Sequence, residues 1–452
     1  MRLRKTITTI VATAILLAGW QLFAVIANQP ELIPSLPRLV RTLCEWLVSG
    51  SFYQSVGATI LRGILGMSIS FVCAIGMAGL FARFEWVYEL FRPLLAIMRS
   101  IPVISFILLA LIFLNPESIP LMIAFLTMFP LLTENLTRGI LDLRPGLSIM
   151  ARQFHIKRSN VLFQIIYPQL KPFLYSGLAS AAGFGWRAII MGEVLSQCAF
   201  GIGSEMKRAQ NFIAVPELLA WTIVAVFISF FFDKGISKVA DITPKISFAN
   251  EDQTIPTPTL SVLDTKDISY QYGIQHFSHS FQKGIIYGIS APSGKGKTTL
   301  LNLIGGILLP TKGEIHPTRH FGIATIFQQP QLLPHLTAEE NIILPLSSFL
   351  TEEKARRIAQ KHLQEMEMEP FGNRYPKELS YGQQQRIAIA RALAYPSPLL
   401  LMDEPFKGLD EALSHRIIER IREKQMKEER IILFTSHNPD EIRLLADEVI
   451  YL

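Results

Sequence analysis

Long apolar stretches are confined to the first half of this chain of 452 residues. A helix needs about 20 apolar residues to cross a bilayer. Stretches near that length occur around residues 6–27, 55–81, 93–114, 118–133, 174–195 and 216–232. The fourth is the shortest, and Pro116, Pro120 and Pro130 interrupt it. Backbone polar groups in lipid need internal partners, so the first half is expected to be an all-α membrane domain.

The charges follow the same division. Residues 1–250 carry 21 basic and 12 acidic residues, whereas the remainder carries 22 and 25. A basic, apolar half is typical of a membrane protein with basic cytoplasmic loops, and it argues against nucleic acid as a partner. With the N-terminus inside, fourteen Lys and Arg residues fall in inner loops and four in outer loops. The pattern predicts a multi-pass protein of the cytoplasmic membrane, with the N-terminus and the second half in the cytoplasm.

Two local features of the first half have simple interpretations. Residues 1–27 are interpreted as a membrane anchor, and a cleaved signal peptide is the alternative. Cys44, Cys73 and Cys198 are far apart and lack CxxC spacing, so they indicate neither a disulfide framework nor a zinc site.

A polar, proline-containing stretch separates the two halves. We interpret residues 1–240 as the membrane domain, 241–259 as a linker and 260–452 as an α/β domain. In the last of these, short apolar strands such as 285–290, 398–402 and 430–435 alternate with amphipathic helices.

A glycine-rich stretch, APSGKGKTT at 291–299, follows one of these strands and precedes an apolar helical run. Backbone N–H groups in such a loop bind phosphate oxygens. Lys297 would reach the β- and γ-phosphates, and the Thr298 hydroxyl would bind Mg²⁺. The usual GxxxxGK[ST] pattern begins with glycine where this chain has Ala291, and a positive φ there would cost about 1 kcal/mol. The candidate ATP-binding residues of the loop are Ser293, Gly294, Lys295, Gly296, Lys297, Thr298 and Thr299.

A second apolar strand, LLLMDE at 399–404, ends in two acidic residues. After a phosphate-binding loop, Asp403 would hold Mg²⁺, directly or through water, and Glu404 would polarise the attacking water. Acids that merely cap a strand end are the alternative.

Between these elements, LSYGQQQRIAIARAL (379–393) resembles the LSGGQ signature of ABC transporter ATPases, with Tyr381 in place of the middle glycine. The resemblance implies an ABC nucleotide-binding domain with a helical subdomain. Its other elements follow in family order. They are Gln328, which would sense Mg²⁺ and the membrane domain, Asp410 of the D-loop (408–410), the switch histidine His437, and the adenine-stacking Tyr272, with Tyr270 as its rival.

The same resemblance implies a dimer. The signature residues Ser380, Gly382 and Gln383 would not reach the phosphate-binding loop of their own chain. Two copies of the domain would therefore enclose two ATP molecules, each between one chain's loop and the other chain's signature. ATP and Mg²⁺ are the implied cofactors, and a second copy of the chain is the implied partner.

The inner loop 134–172 resembles the cytoplasmic coupling motif of ABC importer permeases. Ala151 matches the second alanine of that motif and Pro168 its proline, whereas His155 stands where the family has glycine and Tyr167 where it has leucine. A short helix here would dock on the ATPase and transmit its closure. A basic amphipathic helix on the membrane surface is the alternative.

Residues 55–66, 92–111, 183–194 and 200–203 resemble the nitrate/sulfonate/taurine-type importers. Charged groups inside a membrane are functional by default. Arg187 and Glu193 lie six residues apart in the fifth span, on different helix faces. Glu193 matches a family glutamate near the outer end. Arg187 would face a small anionic substrate, or else it snorkels or bonds to a neighbouring helix.

The resemblance as a whole implies a type I importer permease of about six transmembrane helices, fused to an α/β P-loop ABC ATPase. It would import a small solute, such as nitrate, a sulfonate, taurine or a thiamine-pyrimidine precursor. A separate extracytoplasmic solute-binding protein would deliver the solute, and lipid would surround the permease. An exporter half-transporter, with a longer membrane half, is one alternative. A non-transporting ATP-gated regulator, favoured by Ala291 and Tyr381, is the other.

Overall fold

The computed structural model describes residues 2–240, 244–253, 260–271, 273–292, 294–317 and 322–452. Tyr272 and Ser293 lie outside the described residues, as do 241–243 and 254–259 of the linker. By its contacts the chain divides into two units. The first comprises residues 1–143 and 169–243, and the second comprises residues 144–168 and 244–452. Residues 144–168 of the inner loop, the part that contains most of the motif, thus pack with the α/β half.

Helices make up the first half of the chain. In chain order the helices of this half are α1 (Arg2–Ala27), α2 (Leu36–Trp46), α3 (Gly50–Arg83), α4 (Glu85–Ser100), α5 (Val103–Phe113), α6 (Ile119–Leu141), then α7 (Pro145–Gln153) and α8 (Arg158–Asn160) of the inner loop, followed by α9 (Tyr167–Ser196), α10 (Ile202–Asn211) and α11 (Val215–Ala240). A 3₁₀ turn, Pro116–Ser118, precedes α6, and a π-helical turn, Val161–Ile166, joins α8 to α9.

Four helices in the described part of the chain are long and apolar enough to cross a membrane: Gly50–Arg83, Pro116–Leu141, Arg158–Ser196 and Val215–Lys238. They confirm the predicted spans at 55–81, 118–133, 174–195 and 216–232. The predicted span at 93–114 is instead the pair α4 and α5, bent by 94° at the break between them. The apolar part of α1 is a shorter stretch, Val11–Ala27.

The prolines of the fourth span interrupt it less than expected. Pro120 occupies the first turn of α6, where its missing N–H leaves no helical hydrogen bond unmade, and α6 continues through Pro130. The chain turns instead at Pro102, which precedes α5.

Small residues allow α3 and α6 to approach closely. The buried face of α3 carries Ser55, Thr59, Gly63, Gly66, Ser70, Ala74 and Ala78. A Cβ added at Gly66 would lie 2.6 Å from the Cβ of Ala124 on α6. Close backbone approach of this kind is how membrane helices gain packing energy where no hydrophobic effect drives them together.

The second unit adds strands and helices to the inner loop. They are β1 (Val262–Tyr270), β2 (Ile274–Gln282), β3 (Ile286–Ser290), α12 (Lys297–Ile304), β4 (Lys312–His316), β5 (Ala324–Ile326), α13 (Ala338–Leu346), α14 (Glu352–Glu365), α15 (Tyr381–Ala394), β6 (Leu399–Asp403), α16 (Glu411–Glu428), β7 (Ile431–Thr435), α17 (Pro439–Leu445) and β8 (Glu448–Tyr451). The 3₁₀ turns Glu369–Phe371 and Pro376–Glu378 lie between α14 and α15.

Two sheets organise this unit. β2-β1-β4 is antiparallel, and β5-β6-β7-β3-β8 is parallel. The central strands β3, β6 and β7 are buried and largely apolar up to their last residues because both faces of a parallel sheet are covered. Since the carboxyl ends of parallel strands share one edge, the segments that follow β3, β6 and β7 meet there.

Candidate functional site

The glycine-rich loop joins β3 to α12, as predicted from its sequence context. Gly294 and Gly296 have φ values of +81° and +92°, which favour glycine. A Cβ at Gly296 would also lie 2.7 Å from the carbonyl oxygen of Gly273, in the β1–β2 turn. Ala291 is not among the described non-glycine residues with positive φ, so its methyl group is tolerated there.

Lys297 begins α12 and is 7% exposed. Its Nζ atom donates a hydrogen bond of 2.6 Å to the carbonyl oxygen of Ala291. The ammonium group thus lies back across the loop whose N–H groups would bind phosphate.

Asp403, at the end of β6, is the most constrained carboxylate of this edge. The Thr298 hydroxyl donates to its Oδ2 atom at 2.9 Å, and the Thr435 hydroxyl donates to its Oδ1 atom at 2.8 Å. Burial raises the pKa of Asp403, although both hydrogen bonds oppose the shift. A hydroxyl and a carboxylate side by side are donors that Mg²⁺ accepts when phosphates complete its shell. The described residues offer no cluster of three or more His, Cys, Asp or Glu that would hold a metal by itself.

Glu404 follows directly and has a φ of +48°, which is uncommon for a residue with a side chain. Its backbone N–H donates to the carbonyl oxygen of Thr435 at 3.2 Å. The carboxylate lies 3.0 Å from His437 Nε2 and 3.2 Å from Lys407 Nζ. Burial alone would raise the pKa of Glu404, but hydrogen bonds from Lys407 and Gln328 outweigh it and hold the pKa below its usual value. Such a carboxylate is ionised at neutral pH and can accept a proton from water.

The signature segment begins α15. Ser380 caps this helix by accepting from Gln383 N at 3.3 Å, and the Gln383 side chain accepts from Ser380 N at 2.9 Å. This capping box exposes a helix N-terminus that favours an anion. A Cβ at Gly382 would lie 2.5 Å from the carbonyl oxygen of Gly408, so only glycine fits at that position. In the same region Asp410 caps α16 by accepting from Leu413 N at 2.9 Å.

Tyr381 has a contact that the sequence did not indicate. Its hydroxyl donates a 2.7 Å hydrogen bond to the carbonyl oxygen of Gln328. A Cβ at Gly408 would lie 2.8 Å from the Tyr381 ring. The residue that departs from the family's glycine thus links the signature, the glutamine loop and the D-loop within one chain.

Most predicted catalytic residues therefore come together at one edge of the parallel sheet. A cavity of about 270 Å³ there is lined by Thr298, Gln328 and Asp403 together with Gly146 and Ile149 of the inner loop. The remaining loop residues stay where the motif predicts: Gly294 and Lys295 precede α12, and Thr299 lies in its first turn. Tyr270, the last residue of β1, packs against the buried core next to the antiparallel sheet's own apolar residues.

The inner loop residues lie on the second unit. Ala151 is buried in α7. His155 has a φ of +47°, which accounts for the glycine that the family has at this point, and burial lowers its pKa. Pro168 lies at the start of α9, where the inner loop ends.

In the first unit, Glu193 is fully buried and has polar partners. Arg62 Nη1 lies 2.7 Å from Glu193 Oε1, and the Thr59 hydroxyl and Gly203 N–H also donate to this carboxylate. Arg62 also pairs with Glu117 at 2.7 Å. Sequence analysis missed Arg62, although a lone arginine inside an apolar span is the signal that would have found it.

Arg187 lies elsewhere, on a groove of about 690 Å³ between α9, α10 and α11. Thr222, Ser229 and Asp233 are its polar neighbours along an otherwise largely apolar lining. Within the part of the chain that the structure describes, the Arg187 side chain makes no hydrogen bond or ion pair.

A phosphate-binding loop, a strand ending in Asp-Glu, a signature helix and a switch histidine on one parallel sheet define an ABC-type ATPase domain. The ABC transporter family model matches residues 274–407. The model of the binding-protein-dependent transport system inner membrane component matches residues 56–233.

Two import ATP-binding proteins agree with the ABC transporter match. The thiamine import ATP-binding protein ThiQ of Yersinia pseudotuberculosis is 34% identical over 205 residues, or 42% of this chain and 86% of that protein. The Fe(3+) ions import ATP-binding protein FbpC of Rhizobium etli is 35% identical over 189 residues, or 40% of this chain and 54% of that protein. The chain thus spans about half the length of FbpC. A solved dimeric bacterial ABC transporter cassette is 31% identical, with a TM-score of 0.40, over 42% of this chain and 94% of that one.

The chain belongs to the ABC transporter family. It joins a permease region with membrane-spanning helices and an ABC ATPase domain in one polypeptide.

Proposed function

We propose that this chain is the fused permease and ATPase subunit of an ATP-driven importer, which works as a homodimer with a separate extracytoplasmic solute-binding protein. One observation carries the proposal. A region matching the inner membrane component of binding-protein-dependent systems precedes an ABC ATPase domain in the same chain. An exporter half-transporter would not carry this permease region.

The ATPase edge accounts for hydrolysis. Lys297 and the loop N–H groups would bind the phosphates of ATP, while Thr298 and Asp403 would hold Mg²⁺ with Gln328 beside them. Bound Mg²⁺ supplies neutralisation of phosphate charge. Glu404, whose pKa is held low, orients the attacking water and accepts its proton. His437, 3.0 Å from Glu404, positions that carboxylate and would contact the γ-phosphate of bound ATP.

Dimerisation completes the site. Ser380, Gly382 and Gln383 of one chain would face the nucleotide held by the other, and Asp410 would lie at the same interface. The exposure of Ser380 and Tyr381 at the N-terminus of α15 supports this role. Closure around ATP and reopening after hydrolysis would move the inner loop (Ala151, His155 and Pro168), and through it the permease helices.

The proposed charge of the substrate rests on Arg187. Arg187 and two hydroxyl groups in the groove suit a small anion, and Asp233, the one carboxylate of the lining, would favour an anion that also carries an amine, such as taurine. Nitrate, a sulfonate or taurine meets this requirement, and a thiamine-pyrimidine precursor does not carry the charge. The relatives described above are named for different cargoes, thiamine and Fe(3+) ions, so the ATPase half does not select one.

The proposed location is the inner (cytoplasmic) membrane, with lipid around the permease helices and both the N-terminus and the ATPase domain in the cytoplasm. The excess of basic residues in the inner loops supports this orientation.

Reconstitution tests the proposal. The purified chain in nanodiscs should hydrolyse ATP, and the rate should rise when the cognate binding protein and its solute are added. Glu404→Gln should abolish both rates. Unchanged hydrolysis with every candidate binding protein, and no solute uptake in proteoliposomes, would support the non-transporting regulator instead.

A further inference from the structure

The first described part of the interdomain segment, residues 244–253, is held on the second unit along its length. We call these residues the strap. Ala249 N donates to the carbonyl oxygen of Ser347 at 3.0 Å, and Gln253 N donates to that of Phe349 at 2.8 Å. Ile246 and Phe248 of the strap also pack against the buried core. A linker predicted from its prolines and polarity is therefore docked, in this part, as an extended segment.

Asn160 of α8 joins the strap to the inner loop. Its side-chain amide makes both hydrogen bonds that a paired strand would make with Ser247: Nδ2 donates to Ser247 O, and Ser247 N donates to Oδ1, each at 2.8 Å. The same Nδ2 atom donates to the Ser347 hydroxyl at 2.8 Å. Asn160 is 1% exposed, and its bond to Ser347 is buried. Its two bonds to the exposed Ser247 are partly buried.

Further hydrogen bonds hold the two ends of the strap. Gln164, fully buried in the π-helical turn, donates to the carbonyl oxygen of Pro244 at 3.0 Å. At the other end, Asp252 accepts from the backbone N–H and the hydroxyl of Thr351, at 2.9 and 3.0 Å. The Thr351 N–H lowers the pKa of Asp252. Thr351 is the residue before α14, so the strap reaches from the inner loop to the helical subdomain.

We propose that the strap fastens the inner loop to the end of α13, with Asn160 as the positioning residue, so that these parts move as one body when nucleotide binds. α13 ends at Leu346, next to Ser347, and begins shortly after the segment containing Gln328. A displacement of that segment is then passed to the inner loop through the hydrogen bonds of Asn160 as well as apolar packing. This inference rests on the proposed function, because it assigns a route by which ATP binding reaches the permease.

Backbone chemistry offers a matched test at Ser247. Its contribution to the junction comes from its main chain, so Ser247→Ala should change nothing, whereas Ser247→Pro removes the N–H that donates to Asn160. Asn160→Leu keeps the side-chain volume and removes all three hydrogen bonds. Full-length chain in nanodiscs would be used for each variant.

Amide hydrogen exchange gives the first measurement, and it needs no substrate. In the nucleotide-free wild type and in Ser247→Ala, the amides of Ala249 and Gln253 should exchange slowly. In Asn160→Leu and Ser247→Pro they should exchange about fivefold to tenfold faster, as expected when buried hydrogen bonds are lost. Equal exchange in all four proteins would overturn the proposal.

Thiol labelling of Cys44 gives the second measurement. Cys44 is exposed on α2, and a Cys73→Ala background removes the other exposed thiol. In the wild type and Ser247→Ala, ATP with vanadate should change the labelling rate. In Asn160→Leu and Ser247→Pro that response should be lost while at least half of the ATP hydrolysis remains. A preserved response in both variants would refute the strap's role. A wild type that hydrolyses ATP without any response would count against the proposed function, and the exchange measurement would still decide whether Asn160 holds the strap.

Discussion

The ammonium group of Lys297 lies 2.6 Å from the carbonyl oxygen of Ala291, the residue that replaces the first glycine of the phosphate-binding motif. Lys297 is the first residue of α12, and the contact runs back across the loop to its first residue. A buried ammonium needs a partner, and in this structure the partner is the Ala291 carbonyl oxygen. Because the acceptor is a main-chain atom and Ala291 is not among the described residues with positive φ, alanine at this position is compatible with the contact.

Removal of this ammonium should abolish ATP hydrolysis. Lys297→Ala takes away the charge that stabilises the β- and γ-phosphates, so the rate should fall by at least about a hundredfold. Lys312→Ala, an exposed lysine of β4, is the control and should keep the wild-type rate. Phosphate release in nanodiscs measures both, and normal turnover by Lys297→Ala would refute the assignment of the loop.

Replacement of the proposed base should separate binding from chemistry. Glu404→Gln should retain ATP binding and lower hydrolysis by about 10²- to 10⁴-fold, the usual contribution of a general base. Glu429→Gln is a matched control because Glu429 has a similar φ of +49° but lies on the surface beside Lys283. Because the pKa of Glu404 is held below its usual value, this residue should not cause a loss of activity between pH 8 and 6. Retained hydrolysis in Glu404→Gln would exclude it as the base.

The buried pair in the first unit should be strongly coupled. Arg62→Leu leaves Glu193 without its cation and should lower the free energy of unfolding by about 3–5 kcal/mol. The double variant Arg62→Leu/Glu193→Leu should recover part of that loss, because no charge then remains unpaired. Arg208→Gln, which breaks the more exposed pair with Glu205, should cost less than about 1 kcal/mol. Thermal unfolding in detergent provides the comparison, and additive losses at Arg62 and Glu193 would contradict the coupling.

The positive φ of His155 predicts a stabilising substitution. His155→Gly relieves a left-handed backbone that costs a residue with a side chain about 1 kcal/mol, so the melting temperature should rise. Ala151 is buried in the last turn of α7. Ala151→Gly should lower the melting temperature by a similar amount because glycine disfavours helix. A lower melting temperature for His155→Gly would mean that the imidazole makes a compensating contact.

Acid should destabilise the helical subdomain through His362. Burial is the main cause that lowers the pKa of this histidine from 6.5 to about 4, with Lys424 adding to the shift and Glu365 opposing it. Below pH 6.5 the unfolded chain takes up a proton that the folded chain refuses. Stability should therefore fall between pH 6.5 and about 4, by up to about 3 kcal/mol.

Thermal unfolding at pH 7 and pH 5 tests the histidine. His362→Gln should reduce the difference in melting temperature between the two pH values. His316→Gln, at an exposed position, should leave that difference unchanged. An undiminished difference in His362→Gln would assign the acid sensitivity to other groups.

Local patterns were sufficient where function depends on neighbours in the chain. The loop at 291–299 had to follow a strand and lead into a helix. Asp403 and Glu404 had to lie at the end of another strand. Parallel strands then bring these segments to a shared edge regardless of what lies between them. This is why the nucleotide residues could be predicted together.

Proline was a less reliable guide than hydropathy. Pro120 and Pro130 were expected to interrupt the fourth span, yet α6 runs through both, whereas the chain bends near Pro102. A proline's effect depends on its position in the helix turn and on the groups that satisfy the freed carbonyl. These are tertiary properties.

By itself the sequence determined the membrane-spanning character of the first half and the ATPase class of the second, and it predicted the residues that would bind ATP, since each follows from patterns along the chain. Only the tertiary structure decided which distant polar groups pair, such as Arg62 with the buried Glu193, Tyr381 with Gln328, and the buried Asn160 with Ser247. The reason is desolvation: a polar group removed from water must bond to whatever the fold places beside it. That neighbour can lie more than a hundred residues away along the chain.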